Sequence, residues 1–342
     1  MPPKLSNKNL INKIHCGDSL EIMRGWPDGF IDCCITSPPY WGLREYGVGG
    51  QLGLEKTPEE YVAKLVAIFD EVRRVLKPEG TLWLNLGDSY AGSGKGFNSD
   101  GTAHPASLTG KQGTHKGTTN GLHVPQKAKE IGLKAKDLVG IPWAVAFALR
   151  SSGWYLRQDI IWAKTNPMPE SVKDRCTKSH EYIFLMSKSR KYYFDHVAIK
   201  EDAVTVVKKS MNKTKYKSVK KSNGKYSNFK EYGGGGSSFK GHSGMYKSDG
   251  EPITSDGKRN KRDVWVVSVK PYKEAHFATY PPDLILPCVL AGCPKNGIIF
   301  DPFMGAGTTA VVARQNNRNF IGIELNPEYI KIANDRIKKE KG

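Results

Sequence analysis

No run in this 342-residue chain is long and apolar enough to span a bilayer, and its start, Met1-Pro-Pro-Lys-Leu-Ser-Asn-Lys8, has no apolar block of the secretory kind. A cytoplasmic protein with no membrane partner is expected. Cys-x-x-Cys pairs are also missing. Cys16, Cys33, Cys34, Cys176, Cys288 and Cys293 sit mostly inside apolar runs and read as reduced core residues, with no metal site. Acid is in short supply: 34 Asp and Glu stand against 52 Lys and Arg, and from Ala203 to Lys230 there is none. The resulting formal charge of +18 points to a polyanionic partner, most simply nucleic acid, rather than to a merely soluble basic protein.

What is present allows one large α/β domain with an inserted region, or two domains. The stretch that organises the rest is Ile31-Asp-Cys-Cys-Ile-Thr-Ser-Pro-Pro-Tyr40, a buried strand opening into a stiff tip. Pro38 and Pro39 fix φ and carry no N–H, so the tip is rich in carbonyl acceptors. Ser37 adds a hydroxyl before them and Tyr40 an aromatic face after them. Acceptors beside a stacking plate suit the exocyclic NH2 of a nucleobase; the plainer reading is a proline turn that caps a strand.

Around this tip the chain reads as alternating strands and helices. Ile11–His15 suggests a short strand and Ser19–Arg24 a helix, with Asp18 either capping that helix or facing a ligand at the sheet edge. Trp41–Gly50 is a glycine-rich aromatic loop whose Arg44 either touches a phosphate or is simply exposed. Thr57-Pro-Glu-Glu60 opens a helix with Tyr61, Leu65, Ile68, Val72 and Leu76 on one face, and Thr81–Leu86 is the next strand. Residues 87–130 form a loop insertion dense in Gly, Ser, Thr, His and Lys. A largely buried helix over Asp137–Arg150, a strand over Trp154–Trp162, a polar loop over Pro167–His180 and a strand over Glu181–Met186 follow. In the basic stretch lysines alternate with Tyr216, Tyr226 and Phe229, which suits a DNA-tracking surface, a basic linker, or a linker that orders on DNA. Asp263–Val269 restores strand character.

Near the end, Ile298-Ile-Phe-Asp301-Pro-Phe-Met-Gly305-Ala-Gly307-Thr-Thr-Ala-Val-Val-Ala313 is a strand, a glycine turn and a helix in immediate succession. Glycines let a ligand approach the backbone, and the helix start offers free N–H groups. The next strand, Asn319–Glu324, ends in a carboxylate about twenty residues past the turn, where ribose hydroxyls lie in a Rossmann-like unit. Asp301 would oppose a pyrophosphate but welcome an amino group. An amino acid joined to a nucleoside fits best, and S-adenosyl-L-methionine is such a ligand.

Thr36-Ser-Pro-Pro-Tyr40 followed far downstream by Asp301-Pro-Phe-Met-Gly-Ala-Gly-Thr-Thr309 resembles the amino-group DNA methyltransferases of the beta arrangement, in which the catalytic motif precedes the cofactor motif. The resemblance implies an α/β, Rossmann-like methyltransferase fold: a mixed, mostly parallel sheet with helices on both faces, permuted motif order and an inserted target-recognition region. It assigns 1–200 and 263–342 to the catalytic and cofactor halves and 201–262 to the insertion. It also implies that Ser37 and the Pro38 carbonyl hold the target amine, with Pro39 stiffening the tip and Tyr40 stacking on a flipped base. Asp18, Thr36, Phe277, Thr279, Asp301, Phe303, Gly305, Gly307, Thr308 and Glu324 are then cofactor contacts, which tips Asp18 towards a ligand role. In this family the Ser-Pro-Pro-Tyr form mostly accompanies N4 of cytosine in double-stranded DNA, and Asp-Pro-Pro-Tyr accompanies adenine. RNA or protein-amide methylation, and a basic module without activity, are the rival readings. The family also raises a cognate restriction endonuclease as a partner.

Overall fold

The computed structural model describes residues 9–42, 48–91, 132–134, 136–202, 258–270 and 279–339. Arg44, Phe277, nearly all of the 87–130 insertion and the lysine-rich stretch with Tyr216, Tyr226 and Phe229 lie outside the described residues. The chain divides into two compact units, Met1–Ile199 with Arg262–Gly342, and Lys200–Lys261.

The elements in chain order are β1 (Lys13–Cys16), α1 (Ser19–Arg24), β2 (Ile31–Thr36), α2 (Pro58–Val75), β3 (Leu76–Leu86), α3 (Ile141–Ser151), β4 (Tyr155–Ala163), β5 (His180–Ser187), β6 (Glu201–Asp202), β7 (Lys258–Arg259), β8 (Val264–Val266), α4 (Pro282–Gly292), β9 (Ile298–Asp301), α5 (Thr308–Gln315), β10 (Asn319–Glu324) and α6 (Pro327–Lys339). In the smaller unit β6 and β7 pair antiparallel, with Arg259 3.2 Å from Glu201. The larger unit is built on an eight-stranded sheet in the order β1-β10-β9-β2-β3-β5-β4-β8. The first five run parallel, β5 is antiparallel to both β3 and β4, and β8 is parallel to β4.

Both faces of the sheet are covered, which is why its central strands read as unbroken apolar runs rather than as alternations. Along β2, Ile31 and Cys34 join the core under α2 and α3, while Cys33 and Ile35 join the core under α4 and α5. An irregularity between Ile31 and Cys33 breaks the alternation there, and a regular period of two divides Leu82 and Leu84 from Trp83, Phe300 from Ile299, and Ile321 from Phe320. Burial pushes the Cys33, Cys34 and Cys293 thiols well up, and no disulfide joins any of the six cysteines.

Local signals set most of the element ends. Thr57 caps α2 by accepting from the Glu60 N–H, Pro58 occupies its first turn, and Tyr61, Leu65, Ile68, Phe69, Val72 and Val75 are buried. The helix expected from Asp137 starts instead at Ile141. Residues before it pair with the chain after β3, through Ala91 N–H to Asp137 O and Val139 N–H to Ser89 O. Asp88 then caps α3 from a distance, accepting from the Gly140 and Ile141 N–H groups. The helix also buries one face rather than most of its surface: Val145, Ala146 and Leu149 are inside, while Phe147 is 45% exposed. The strand expected over Asp263–Val269 is only the three residues of β8.

Helix α4 ends against the sheet at Gly292, where an added Cβ would stand 2.3 Å from the Trp83 indole nitrogen and 2.9 Å from Cys33 Sγ. Gly292→Ala is therefore expected to overpack this contact and destabilise the fold by about 1–3 kcal/mol, read as a lower urea midpoint. An unchanged midpoint would contradict the packing described.

Candidate active site

The two segments that the sequence singles out are neighbours. β2 and β9 are adjacent and parallel, with Cys33 opposite Ile299 and Cys34 opposite Phe300, so the Ser37 tip and the Gly305 turn leave the sheet side by side. On the outer flank of β9 lies β10 and then β1, with Cys16 opposite Glu324. Four loops thus emerge from consecutive carboxyl ends of parallel strands, where open α/β sheets bind ligands. Together they line one cavity of about 280 Å³, with Asp18, Ser37, Pro38, Pro39, Tyr40, Thr279, Phe303, Gly305, Thr308 and Glu324 in its walls.

Thr36 and Asp301 occupy different positions from those expected. Their side chains are buried below the cavity rather than in its walls. The Asp301 carboxylate accepts from Thr36 Oγ1 at 2.6 Å, Thr309 Oγ1 at 2.5 Å, the Phe303 N–H at 3.0 Å and the Tyr280 hydroxyl at 3.0 Å. Burial raises its pKa, and the bonds from Thr309, Thr36, Phe303 and Tyr280 oppose that rise. With its oxygens spent on protein donors, Asp301 is a clasp between β9 and β2 rather than a partner for a ligand's amino group.

Gly307 also falls outside the cavity walls. It is left-handed at φ 80°, and a Cβ there would come within 2.9 Å of Ala333 Cβ on α6. The residue serves the turn and the packing of α5 on α6. Gly305 is different: its added Cβ would meet only the Phe303 carbonyl, at 3.9 Å, so its surface is open towards the cavity.

Glu324 ties the glycine turn to β10. One carboxylate oxygen accepts from the Gly305 N–H at 2.8 Å and the other from the Asn326 N–H at 2.9 Å, leaving lone pairs for hydroxyl donors. Burial raises its pKa against those two backbone bonds. Asp18 accepts from the Glu21 N–H at 3.0 Å and also lines the cavity, so it caps α1 and faces the site at once.

At the tip, the Pro39 carbonyl is not free as the proline reading suggested; the Tyr61 hydroxyl on α2 donates to it at 2.7 Å. Tyr40 is held at both ends. A Cβ on Gly87 would lie 2.6 Å from its ring, so that glycine lets the ring rest against the backbone. Its hydroxyl donates to Glu181 Oε2 at 2.7 Å, and burial together with the Glu181 charge raises its pKa well above that of a free tyrosine.

Glu181, Asn85, Lys164 and Trp162 are cavity residues that the sequence reading passed over. Each is a single side chain at a strand end, with no motif to mark it. The polar loop over Pro167–His180 contributes no wall residue; its Glu170 and Arg175 pair with each other at 2.6 Å. Among the described residues no group of three or more His, Cys, Asp or Glu is placed to hold a metal ion, and no helix is long and apolar enough to cross a membrane.

A family model described as DNA methylase, for N6 and N4 enzymes, matches residues 31–335. The chain is 41% identical to the type II methyltransferase M.Cfr9I of Citrobacter freundii, over 95% of this chain and 87% of that one. It is 42% identical to M.SmaI of Serratia marcescens, over 95% and 90%. Among solved structures, PvuII DNA methyltransferase (cytosine-N4-specific) superposes with a TM-score of 0.56 at 16% identity, covering 97% of this chain and 93% of that one. A putative DNA modification methylase from Thermus thermophilus, solved with S-adenosyl-L-methionine, gives 0.55 at 19% identity, over 96% and 94%. The chain belongs to the N6/N4 DNA methylase family, with type II methyltransferases as its relatives and the sheet architecture of that fold.

Proposed function

We propose that this protein transfers a methyl group from S-adenosyl-L-methionine to N4 of a flipped-out cytosine at a specific site in double-stranded DNA. The observation that carries the reading is the single cavity shared by Ser37, Tyr40, Gly305 and Glu324, which come from strands adjacent in space and distant in sequence. The choice of cytosine rests on Ser37 at the first position of the tip. The formal charge of +18 supports a nucleic-acid substrate, and the lysine-rich 201–262 region is proposed as the target-recognition insertion. Pairing with a cognate restriction endonuclease is part of the same proposal.

The residues present fit the cofactor. Asp18 and Glu324 make this end of the cavity acidic, and the one cation among the described wall residues, Lys164, is paired with Glu181. Carboxylates accept from ribose hydroxyls and repel a phosphate, so such walls suit a nucleoside without a phosphate. Glu324 is assigned to the ribose hydroxyls, Asp18 to the adenosine end, and Phe303, Gly305, Thr308 and Thr279 to the remaining walls. When bound, the sulfonium supplies an electrophilic methyl group.

Ser37 and the Pro38 carbonyl accept the two hydrogens of the target amine, and Tyr40 stacks on its ring. An aromatic amine is a weak nucleophile because its lone pair is shared with the ring. Acceptors that favour a tetrahedral nitrogen release the lone pair and aim it, so orientation and electrostatics supply most of the rate. The Cys33 and Cys34 thiols, buried in β2, take no part.

Purified protein incubated with DNA and cofactor, followed by nucleoside digestion, is expected to yield N4-methylcytosine; N6-methyladenine would replace the cytosine reading, and an unmodified digest would end both. Ser37→Ala is expected to keep cofactor affinity while losing about a hundredfold in turnover. Normal turnover in that variant would remove the serine from the mechanism. Glu324 accepts hydroxyls best when ionised. Because its pKa is raised, cofactor affinity measured by calorimetry is expected to weaken as pH falls while still above the ordinary value of 4.5. Glu324→Gln should flatten that dependence, and a wild-type affinity constant down to the ordinary value would contradict the assignment.

A further inference from the structure

The acceptor-rich tip leaves one part of the target base unprovided for. In cytosine and in adenine alike, the carbon that bears the exocyclic amine also bears a ring nitrogen with an in-plane lone pair. A base seated among acceptors buries that nitrogen without a donor, which is costly. The base end of the cavity therefore needs a hydrogen-bond donor beside its acceptors.

Most donors there are already committed. Asn85 Nδ2 donates to the Tyr182 carbonyl at 3.0 Å and to Glu181 Oε2 at 3.3 Å, and Trp162 Nε1 donates to the Val267 carbonyl at 2.8 Å. The Tyr40 hydroxyl is taken by Glu181. Lys164 is the one cation among the described wall residues, and an ammonium has three hydrogens. One goes to Glu181 Oε1 at 2.5 Å, and the nitrogen stands 4.6 Å from the centre of the Trp162 ring.

The fold builds this position with care. Lys164 follows the last residue of β4, where Ala163 is opposite His180 and Trp162 opposite Glu181 on β5, and its N–H donates to the Ser179 carbonyl at 2.8 Å. Glu181 in turn holds Tyr40 and Lys164 with its two oxygens, so the stacking ring and the ammonium are set relative to each other by one carboxylate. The pair is sheltered, with side-chain exposures of 20% and 14%. Sheltered ion pairs add little to stability, which leaves geometry as what this one provides.

We propose that Lys164 is a direct contact of the target base, donating to the ring nitrogen next to the methylated amine, and that Glu181 is the positioning residue that aims it. This rests on the methyl-transfer reading above. In the reaction Lys164 exchanges no atoms; it holds the base so that the amine faces the Ser37 acceptors.

The test uses a synthetic duplex bearing the methylated position, once mapped, and a second duplex in which the adjoining ring nitrogen is replaced by CH: 3-deazacytosine, or 1-deazaadenine should the modified base be adenine. Wild-type protein is expected to turn over the natural duplex about ten- to a hundredfold faster than the deaza duplex. Lys164→Met is expected to lose that preference and treat both alike, with affinity for S-adenosyl-L-methionine unchanged; Lys164→Leu, which also lacks a donor, is read the same way should the methionine variant not fold. A methionine variant, or a Lys164→Leu variant used in its place, that keeps the wild-type preference, or a wild type that shows none, overturns the contact. A wild-type protein that methylates neither duplex nor bulk DNA overturns the underlying reading instead, and the two failures are told apart by the natural duplex alone.

Discussion

A buried carboxylate holds the two halves of this site together. Asp301 ends β9, is 1% exposed, and accepts from Thr36 at the end of β2, from Thr309 on α5, from Tyr280 before α4 and from the Phe303 N–H in its own turn. A carboxylate in such a place is tolerated only when its oxygens are fully engaged, so each of those four groups is fixed as tightly as the acid itself. Fixing them sets where the Ser37 tip leaves the sheet relative to the glycine turn. The Ser37 tip and the Gly305 turn are thereby positioned by one group rather than by two independent packings.

The rest of the molecule supports that clasp. α2 reaches the tip through Tyr61 and the Pro39 carbonyl, Gly87 after β3 backs the Tyr40 ring, and Glu324 at the end of β10 ties down Gly305. Each contact arrives from a different element at the same edge of the sheet. Strands β5 and β4 then add a polar corner, Glu181 and Lys164, at the end of the cavity away from the glycine turn's carboxylate. The parallel strands thus provide the Gly305 and Glu324 walls of the cavity, and their antiparallel extension provides Glu181 and Lys164.

Much of this was legible in the sequence, and the reasons are physical. β2, β3, β5, β9 and β10 lie between helices and are apolar on both faces, so they stand out as continuous runs ended by polar turns. The Ser-Pro-Pro-Tyr tip and the Gly305 turn announce themselves through residues with special backbone demands. What could not be read was the direction of individual side chains. Asp301 looked like a ligand group because it ends a strand beside a glycine turn, and only the positions of Thr36, Thr309 and Tyr280, up to hundreds of residues apart, turn it inward. Gly307 looked like a cofactor glycine, yet Ala333 of α6 is what requires it. The start of α3 has no local mark because its cap, Asp88, lies far upstream, and Lys164 and Glu181 carry no local signal at all.

The clasp is tested most directly by a pair of substitutions read together in single-turnover methyl transfer, at a temperature where every variant remains folded. Thr36→Val is expected to slow transfer in the wild-type background and to have no further effect in an Asp301→Ala background, because the bond it removes is already gone. If Thr36→Val slows both backgrounds by the same factor, the two strand ends are positioned independently and the account of Asp301 is wrong.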